Sequence, residues 1–360
     1  MRLGIIGLPN SGKTTIFNAL TRSNRPTGAV SSGKMEVFTS VVPVPDARID
    51  KLTAMYKPKK TIYATIVYTD IAGLEKSIGA SGMSGELRNH LQQSEGFIHV
   101  VRAFEDDAVP HPDITIDPAR DVSTIDTEFL LADLITVERR IEKLNEEMKR
   151  NKNLNKALAE AELELMARFK QQLEDLQPLR DLDITDEEEK MIRGYGLLSL
   201  KPMLIVFNAG ETPVDAENLL SDYHHKHTAV LSLQGKIEAE IAQLEGEDQA
   251  MFLAEYNISE PGASRVIRAS YDLIHVQSFF TVGEDEVRAW TIPVGATAQE
   301  SAGTIHTDLS RGFIRAEVTP YAELIAAGSE AEVKKLGKMR LEGKEYIVKD
   351  GDIMHVRANV

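Results

Sequence analysis

Gly7-Leu8-Pro9-Asn10-Ser11-Gly12-Lys13-Thr14 sets two glycines, a lysine and a hydroxyl residue at the spacing of a Walker A phosphate loop. Each position has a chemical task. The glycines let backbone N–H groups converge on phosphate oxygens, and Lys13 places a charge beside the β- and γ-phosphates. The Thr14 hydroxyl is a Mg²⁺ ligand. Further on, Asp70-Ile71-Ala72-Gly73 closes an apolar run over 61–69. In P-loop NTPases an acid at such a strand end holds Mg²⁺, usually through water, and the following glycine N–H senses the γ-phosphate. Alone, Asp-X-X-Gly is also an ordinary turn; behind a Walker A loop it reads as a switch. A third signal is Asn208-Ala209-Gly210-Glu211, directly after the apolar run 203–207. Guanine-specific P-loop GTPases carry Asn-Lys-X-Asp there, and the Asp carboxylate accepts from guanine N1–H and the 2-amino group. With Ala209 and Glu211 in those places guanine readout is not assured, and an adenine N6 donor can meet the Asn208 amide oxygen.

These residues need elements to position them. The apolar run 3–6, the Gly-rich turn and Thr14-Thr15-Ile16-Phe17 read as a buried strand, a loop and a helix opening. Further strands are expected at 61–69, 97–101, 203–207 and 229–233, spaced for intervening helices. The fold class expected is therefore an α/β P-loop NTPase, with a mostly parallel sheet and helices on both faces. Leu130, Leu134, Val137, Ile141, Leu144 and Met148 form one helical stripe, and Leu154, Leu158, Ala161, Leu165, Phe169, Leu173 and Leu176 a second. With a turn at 151–153 they read as an inserted α-helical hairpin, or else as two ordinary surface helices. After about residue 275 the periodicity turns strand-like, at 286–292, 312–318, 345–348 and 353–357, with one helix at 298–305. The expected division is 1–125 and 196–275 for the nucleotide-binding domain, 126–195 for the hairpin and 276–360 for a small C-terminal domain.

Composition narrows the function. The 360 residues hold 41 Lys plus Arg against 56 Asp plus Glu, a formal charge of −15, so nucleic acid contact requires a local basic patch. Lys149, Arg150, Lys152 and Lys156 supply one at the hairpin turn. The absence of cysteine excludes disulfides, thiolate metal sites and cysteine nucleophiles. No apolar run approaches the roughly 20 residues needed to span a bilayer, and no signal peptide opens the chain. A cytoplasmic protein, monomeric and without membrane contact, is expected.

Over its whole length the sequence resembles the YchF/Obg-like ATPase family of the TRAFAC class of P-loop GTPases. The likeness runs through Gly-Leu-Pro-Asn-Ser-Gly-Lys-Thr-Thr, Val-Val-Pro-Val-Pro-Asp at 41–46, Asp-Ile-Ala-Gly-Leu at 70–74 and His-Val-Val-Arg-Ala-Phe-Glu-Asp-Asp at 99–107. It continues through Leu-Ala-Asp-Leu at 131–134, Asn-X-X-Glu at 208–211, Lys-Ile-Glu-Ala-Glu-Ile at 236–241, Glu-Val-Arg-Ala-Trp-Thr-Ile at 286–292 and Gly-Phe-Ile-Arg-Ala-Glu-Val at 312–318. The resemblance implies a G domain interrupted by a helical hairpin, then a β-grasp TGS domain. It also implies hydrolysis of ATP in preference to GTP and association with the ribosome, including its RNA. By position, Asn10, Ser11, Gly12, Lys13, Thr14 and Thr15 would hold phosphates, Thr14 and Asp70 the Mg²⁺, and Asn208 with Ala209 the adenine. Several P-loop GTPases use an Asn at the Asn10 position to hold a monovalent cation such as K⁺; tolerance of turn geometry is the alternative.

Leu74 stands where many such GTPases place a water-orienting Gln, so slow turnover is expected. The family's candidate replacement is a His after the Phe-Glu-X-Asp run, which here is His111, with Asp107 and Asp113 near in sequence. The chain departs from the family in switch I, where Ser31, Ser32 or water must replace the usual Thr, and in Gln234 of Gln234-Gly235-Lys236 beside the base. Other readings are a GTPase of the same fold, or a nucleotide-sensing ribosome-binding scaffold with negligible turnover. A small-molecule kinase lacks its Arg-rich lid here.

Overall fold

The computed structural model describes residues 1–27, 36–72, 83–151, 155–256, 258 and 260–359. The chain forms two compact units, 1–40 with 67–266 and 41–66 with 267–360.

In the first unit, β1 (Arg2–Ile6) leads into α1 (Lys13–Thr21), and β2 (Glu36–Pro43) follows. The next segment gives α2 (Ala47–Tyr56) and β3 (Lys60–Ile62) to the second unit. Then come β4 (Thr65–Ala72), α3 (Gly85–Gln92), β5 (Gly96–Ala103), α4 (Pro118–Arg150), α5 (Lys156–Glu174) and α6 (Asp186–Ile192). The unit continues with β6 (Met203–Ala209), α7 (Ala216–Leu219), β7 (Thr228–Gln234), α8 (Gly235–Ile241) and α9 (Gly246–Glu255), and α10 (Gly262–Leu273) begins in it. The first sheet has the order β2-β4-β1-β5-β6-β7, and the pairs from β4 to β7 are parallel. Every residue of β6 is buried, as a continuous apolar strand in a parallel sheet covered on both faces must be.

The run 61–69, expected as one strand, is two. Thr65 onward pairs with β1, whereas Lys60 to Ile62 pair in parallel with β9 (Glu286–Pro293). Between them, Ala64 O accepts from Val44 N. This pairing draws 41–66, placed with the nucleotide-binding part from the sequence, into the second unit.

α4 is one helix of 33 residues, so the boundary expected at 125 falls inside it. Asp117 caps its start by accepting from Arg120 N, and Pro118 occupies the first turn. Its opening turns bury Val122, Ile125, Phe129 and Ala132 against the sheet. Leu130, Val137 and Leu144 pack with Leu165, Met166, Phe169 and Leu173 of α5, the two expected stripes meeting as one core. The connection at 152–154, including Lys152, lies outside the described residues.

The second unit adds β8 (Val276–Thr281), α11 (Ala298–Ile305), α12 (Thr307–Arg311), β10 (Phe313–Pro320), α13 (Tyr321–Ala327), α14 (Glu330–Lys335), β11 (Arg340–Glu342) and β12 (Asp352–Ala358). Its sheet order is β11-β10-β12-β8-β9-β3. The expected strand at 345–348 does not form. Lys344 O and Tyr346 O instead accept from Gln299 N and Ala298 N at the start of α11, and only Ile347 makes a bridge, to Thr297. Among the described residues, no helix is long and apolar enough to cross a membrane.

Candidate nucleotide and magnesium site

The loop between β1 and α1 turns at Asn10, with φ 60°, and at Gly12, with φ 92°. Gly12 is demanded twice over: its backbone is left-handed, and a Cβ there would lie 2.0 Å from Asn208 Nδ2. No side chain caps α1, so its first N–H groups remain for an anion. Ser11 Oγ is buried without a partner in the same loop. Lys13 Nζ donates to Gly7 O at 3.1 Å and Leu8 O at 2.7 Å.

Thr14 and Asp70 meet as their pairing requires, Thr14 Oγ1 donating to Asp70 Oδ2 at 3.1 Å. Asp70 is fully buried, and its other oxygen, Oδ1, has no hydrogen-bond partner. Burial pushes its carboxyl above the usual carboxylate range, against the pull of Lys13, Thr14 and Arg25. A buried carboxylate with an orphaned oxygen beside a Thr hydroxyl fits a hard divalent cation such as Mg²⁺. Gly73, Leu74, Ser31 and Ser32 lie outside the described residues.

Asn208 sits at the end of β6 and ties two loops together. Its Nδ2 donates to Ser11 O at 2.9 Å, and its Oδ1 accepts from Gly235 N at 3.2 Å. The oxygen expected to meet adenine therefore already has one of its two lone pairs engaged. Ala209 is buried, Glu211 is exposed, and Gln234 Nε2 donates to the Glu211 backbone oxygen. The expected base-contact segments thus meet through Asn208 and Gln234.

His111 is tied to the phosphate loop through its neighbour, since Asn10 Nδ2 donates to Pro110 O at 2.9 Å. Its own ring faces elsewhere. Nε2 is 2.8 Å from Asp121 Oδ2, and Nδ1 accepts from Asp113 N at 3.1 Å. The carboxylate can only accept and the backbone N–H can only donate, so the ring is the neutral tautomer protonated on Nε2. Sequence proximity pointed to Asp107 and Asp113 as side-chain partners; the partner is Asp121, in the first turn of α4. Arg120 donates to the other Asp121 oxygen at 2.8 Å. His111, Asp113 and Asp121 bring ligand-type atoms within 4.8 Å, but His111 and Asp121 are committed to each other and to their neighbours.

Two residues escape the sequence reading. An acid in the first turn after the His-bearing loop was the available signal for Asp121. Arg25 leaves none: it lies outside every motif, yet its Nη1 reaches Asp70 Oδ2 at 2.9 Å.

Known proteins agree with this geometry. A family described as 50S ribosome-binding GTPase matches residues 2–116, and the C-terminal family of YchF GTPases, described as a protein of unknown function, matches 276–359. The ribosome-binding ATPase YchF of Bacillus subtilis (strain 168) is 42% identical, the alignment covering 99% of each chain. The chain belongs to the YchF family. The YchF of Escherichia coli O157:H7, also named a ribosome-binding ATPase, is 42% identical over 100% of this chain and 99% of its own. The structure of the Schizosaccharomyces pombe YchF GTPase superposes with a TM-score of 0.82 at 29% identity, covering 99% of this chain and 97% of the other. The family's α/β P-loop GTPase fold, with a C-terminal β domain, is the fold of this chain.

Proposed function

We propose that this YchF-family chain is a Mg²⁺-dependent nucleotide hydrolase that prefers ATP to GTP and works as a slow, ribosome-associated switch in the cytoplasm. The observation that carries the reading is the meeting of Thr14 with the buried, half-satisfied Asp70 beside an uncapped phosphate-loop helix. The relatives named ribosome-binding ATPases point to the partner and to the nucleotide. Thr14 and Asp70 would hold the ion, which when bound would offset charge on the phosphates. The backbone from Ser11 to Thr15 cradles the phosphates, and Lys13 exchanges a loop carbonyl for a phosphate oxygen. Gly73 N–H senses the γ-phosphate. Asn208 holds the phosphate loop against the Gln234–Gly235 turn, with Ala209 and Glu211 bordering the base.

His111 is the water-positioning group in this reading, and to act it must release Asp121. Asn10 has its amide nitrogen on Pro110 O, leaving the oxygen for a monovalent cation such as K⁺. Equal hydrolysis in potassium and sodium buffers would remove that role and leave Asn10 as a turn residue, for which its positive φ is reason enough.

Calorimetric titration with ATP, GTP and ADP, with and without Mg²⁺, tests the reading. ATP should bind more tightly than GTP, and Glu211→Asp with Ala209→Lys should raise GTP affinity. Equal or tighter GTP binding by the unmodified protein overturns the preference. Turnover measured with and without ribosomes separates a switch, which ribosomes stimulate, from a scaffold.

A further inference from the structure

Arg25 is held with unusual care for a residue in a connecting loop. Asn18, buried in α1, clamps it at both backbone ends: Asn18 Nδ2 donates to Arg25 O at 2.9 Å, and Arg25 N donates to Asn18 Oδ1 at 3.1 Å. The guanidinium carbon lies 3.1 Å from the Phe38 ring centre and 5.8 Å from that of Phe17. Stacked this way, a planar cation is aimed rather than tethered. Its target is Asp70 Oδ2 at 2.9 Å, in an ion pair whose acid is 1% exposed. Thr14 Oγ1 converges on the same oxygen.

The two residues assigned to Mg²⁺ therefore share their contact with a cation the chain supplies itself. A buried carboxylate is costly to leave uncompensated, and Arg25 supplies that compensation. A divalent ion and a guanidinium cannot both take the same carboxylate oxygen, because each repels the other at that range. We infer that Arg25 is a built-in counter-ion for Asp70 that Mg²⁺ must displace, so that metal binding is weaker than the ligands alone would give. The inference rests on Thr14 and Asp70 being the metal ligands. Its functional sense is a higher threshold: the metal enters only when it also gains phosphate oxygens, so that Mg²⁺ and nucleotide bind as one event.

The test uses the full chain with Arg25→Gln and Arg25→Lys. Mg²⁺ is titrated calorimetrically into protein saturated with ADP, and thermal unfolding is followed in EDTA and in excess Mg²⁺. Arg25→Gln should tighten Mg²⁺ binding on the order of tenfold, the effect of removing one close competing charge, and Arg25→Lys should do so less. In EDTA the Gln variant should melt below the parent, and excess Mg²⁺ should close the gap. Unchanged Mg²⁺ affinity in Arg25→Gln, or a melting gap indifferent to Mg²⁺, overturns the inference. Asp70→Asn separates the two failures. If it weakens Mg²⁺ binding while Arg25→Gln changes nothing, only the counter-ion role falls; if it too changes nothing, the metal site itself is misplaced.

Discussion

Lys13 already has two carbonyl partners within its own loop, so a triphosphate replaces contacts rather than meeting a bare charge. The net gain is still a charge-assisted contact of about 1.5–3 kcal/mol. Lys13→Ala should therefore weaken ATP binding by roughly ten- to a hundredfold, read by calorimetry, whereas Thr14→Ala should mainly abolish its dependence on Mg²⁺. His111 needs a different measurement. Its ring contributes to a buried pair with Asp121, so His111→Ala tests catalysis only if folding is checked by thermal melting. ATP affinity should persist while steady-state hydrolysis drops by about 10²-fold, the low end for removal of an acid–base group. Unchanged turnover would leave catalysis to the metal, Lys13 and backbone donors, or to a group supplied by the ribosome. At this scale the sequence is informative where chemistry fixes spacing: the phosphate loop, Asp70 and Asn208 all converge. It is silent on Arg25 and on the Asp121 partner of His111, because a single side chain reaching across the fold leaves no periodic trace.

Asp133 on α4 is buried and accepts from Leu198 N, Ser199 N and Ser199 Oγ, bolting the long helix to the chain just before β6. Burial pushes its carboxyl up to about 6, and those three bonds only partly oppose the shift. A carboxyl raised in the folded state stabilises fully below the unfolded value near 3.8 and loses that contribution as pH rises through about 6. Asp133→Asn sets an amide donor against backbone donors, at a cost of about 1–3 kcal/mol near neutrality. The gap from the parent should widen, by at most about 3 kcal/mol, as pH falls from 7 to 4. Urea melts at both pH values check it; a constant gap would mean that Asp133 is ionised throughout. The helices themselves are legible in the sequence, since the apolar stripes of α4 and α5 keep one period and meet in one core. The opening of α4 is not, because its first turns face the sheet rather than α5 and so break the stripe. At 345–348 an apolar alternation suggests a strand, and competition wins: its carbonyls serve the start of α11 instead.

For the molecule as a whole, a charge of −15 makes any contact with RNA depend on one place. Lys149, Arg150, Lys152 and Lys156 are that place. Arg150 is partly offset by Glu146 at 3.6 Å, an exposed pair of small worth. Replacing all four by Gln should release the protein from ribosomes at lower salt, since removing a cation from a phosphate flattens the salt dependence. Sedimentation with ribosomes across a salt series measures it, and an unchanged profile would place the RNA-binding surface elsewhere. The division of the chain is the least legible level of all. Composition and spacing assign 41–66 by its neighbours in sequence, whereas the hydrogen bonds of β3 run to β9, far along the chain.

That pairing has a consequence for biosynthesis. Lys59 N and Lys60 N donate to Glu284 O and Asp285 O, and α2, with Ile49 and Leu52 fully buried, packs on β9. During translation none of these partners exists when 41–66 is made. At ordinary synthesis rates the missing 226 residues take roughly ten to forty-five seconds to appear. For that interval a short strand edge and an apolar helix face must wait unpaired, while the strands β4 to β7 can already assemble behind them. The nascent protein thus carries a timed vulnerability, one that slow codons between residues 66 and 286 would lengthen and that a chaperone at the ribosome would be placed to cover.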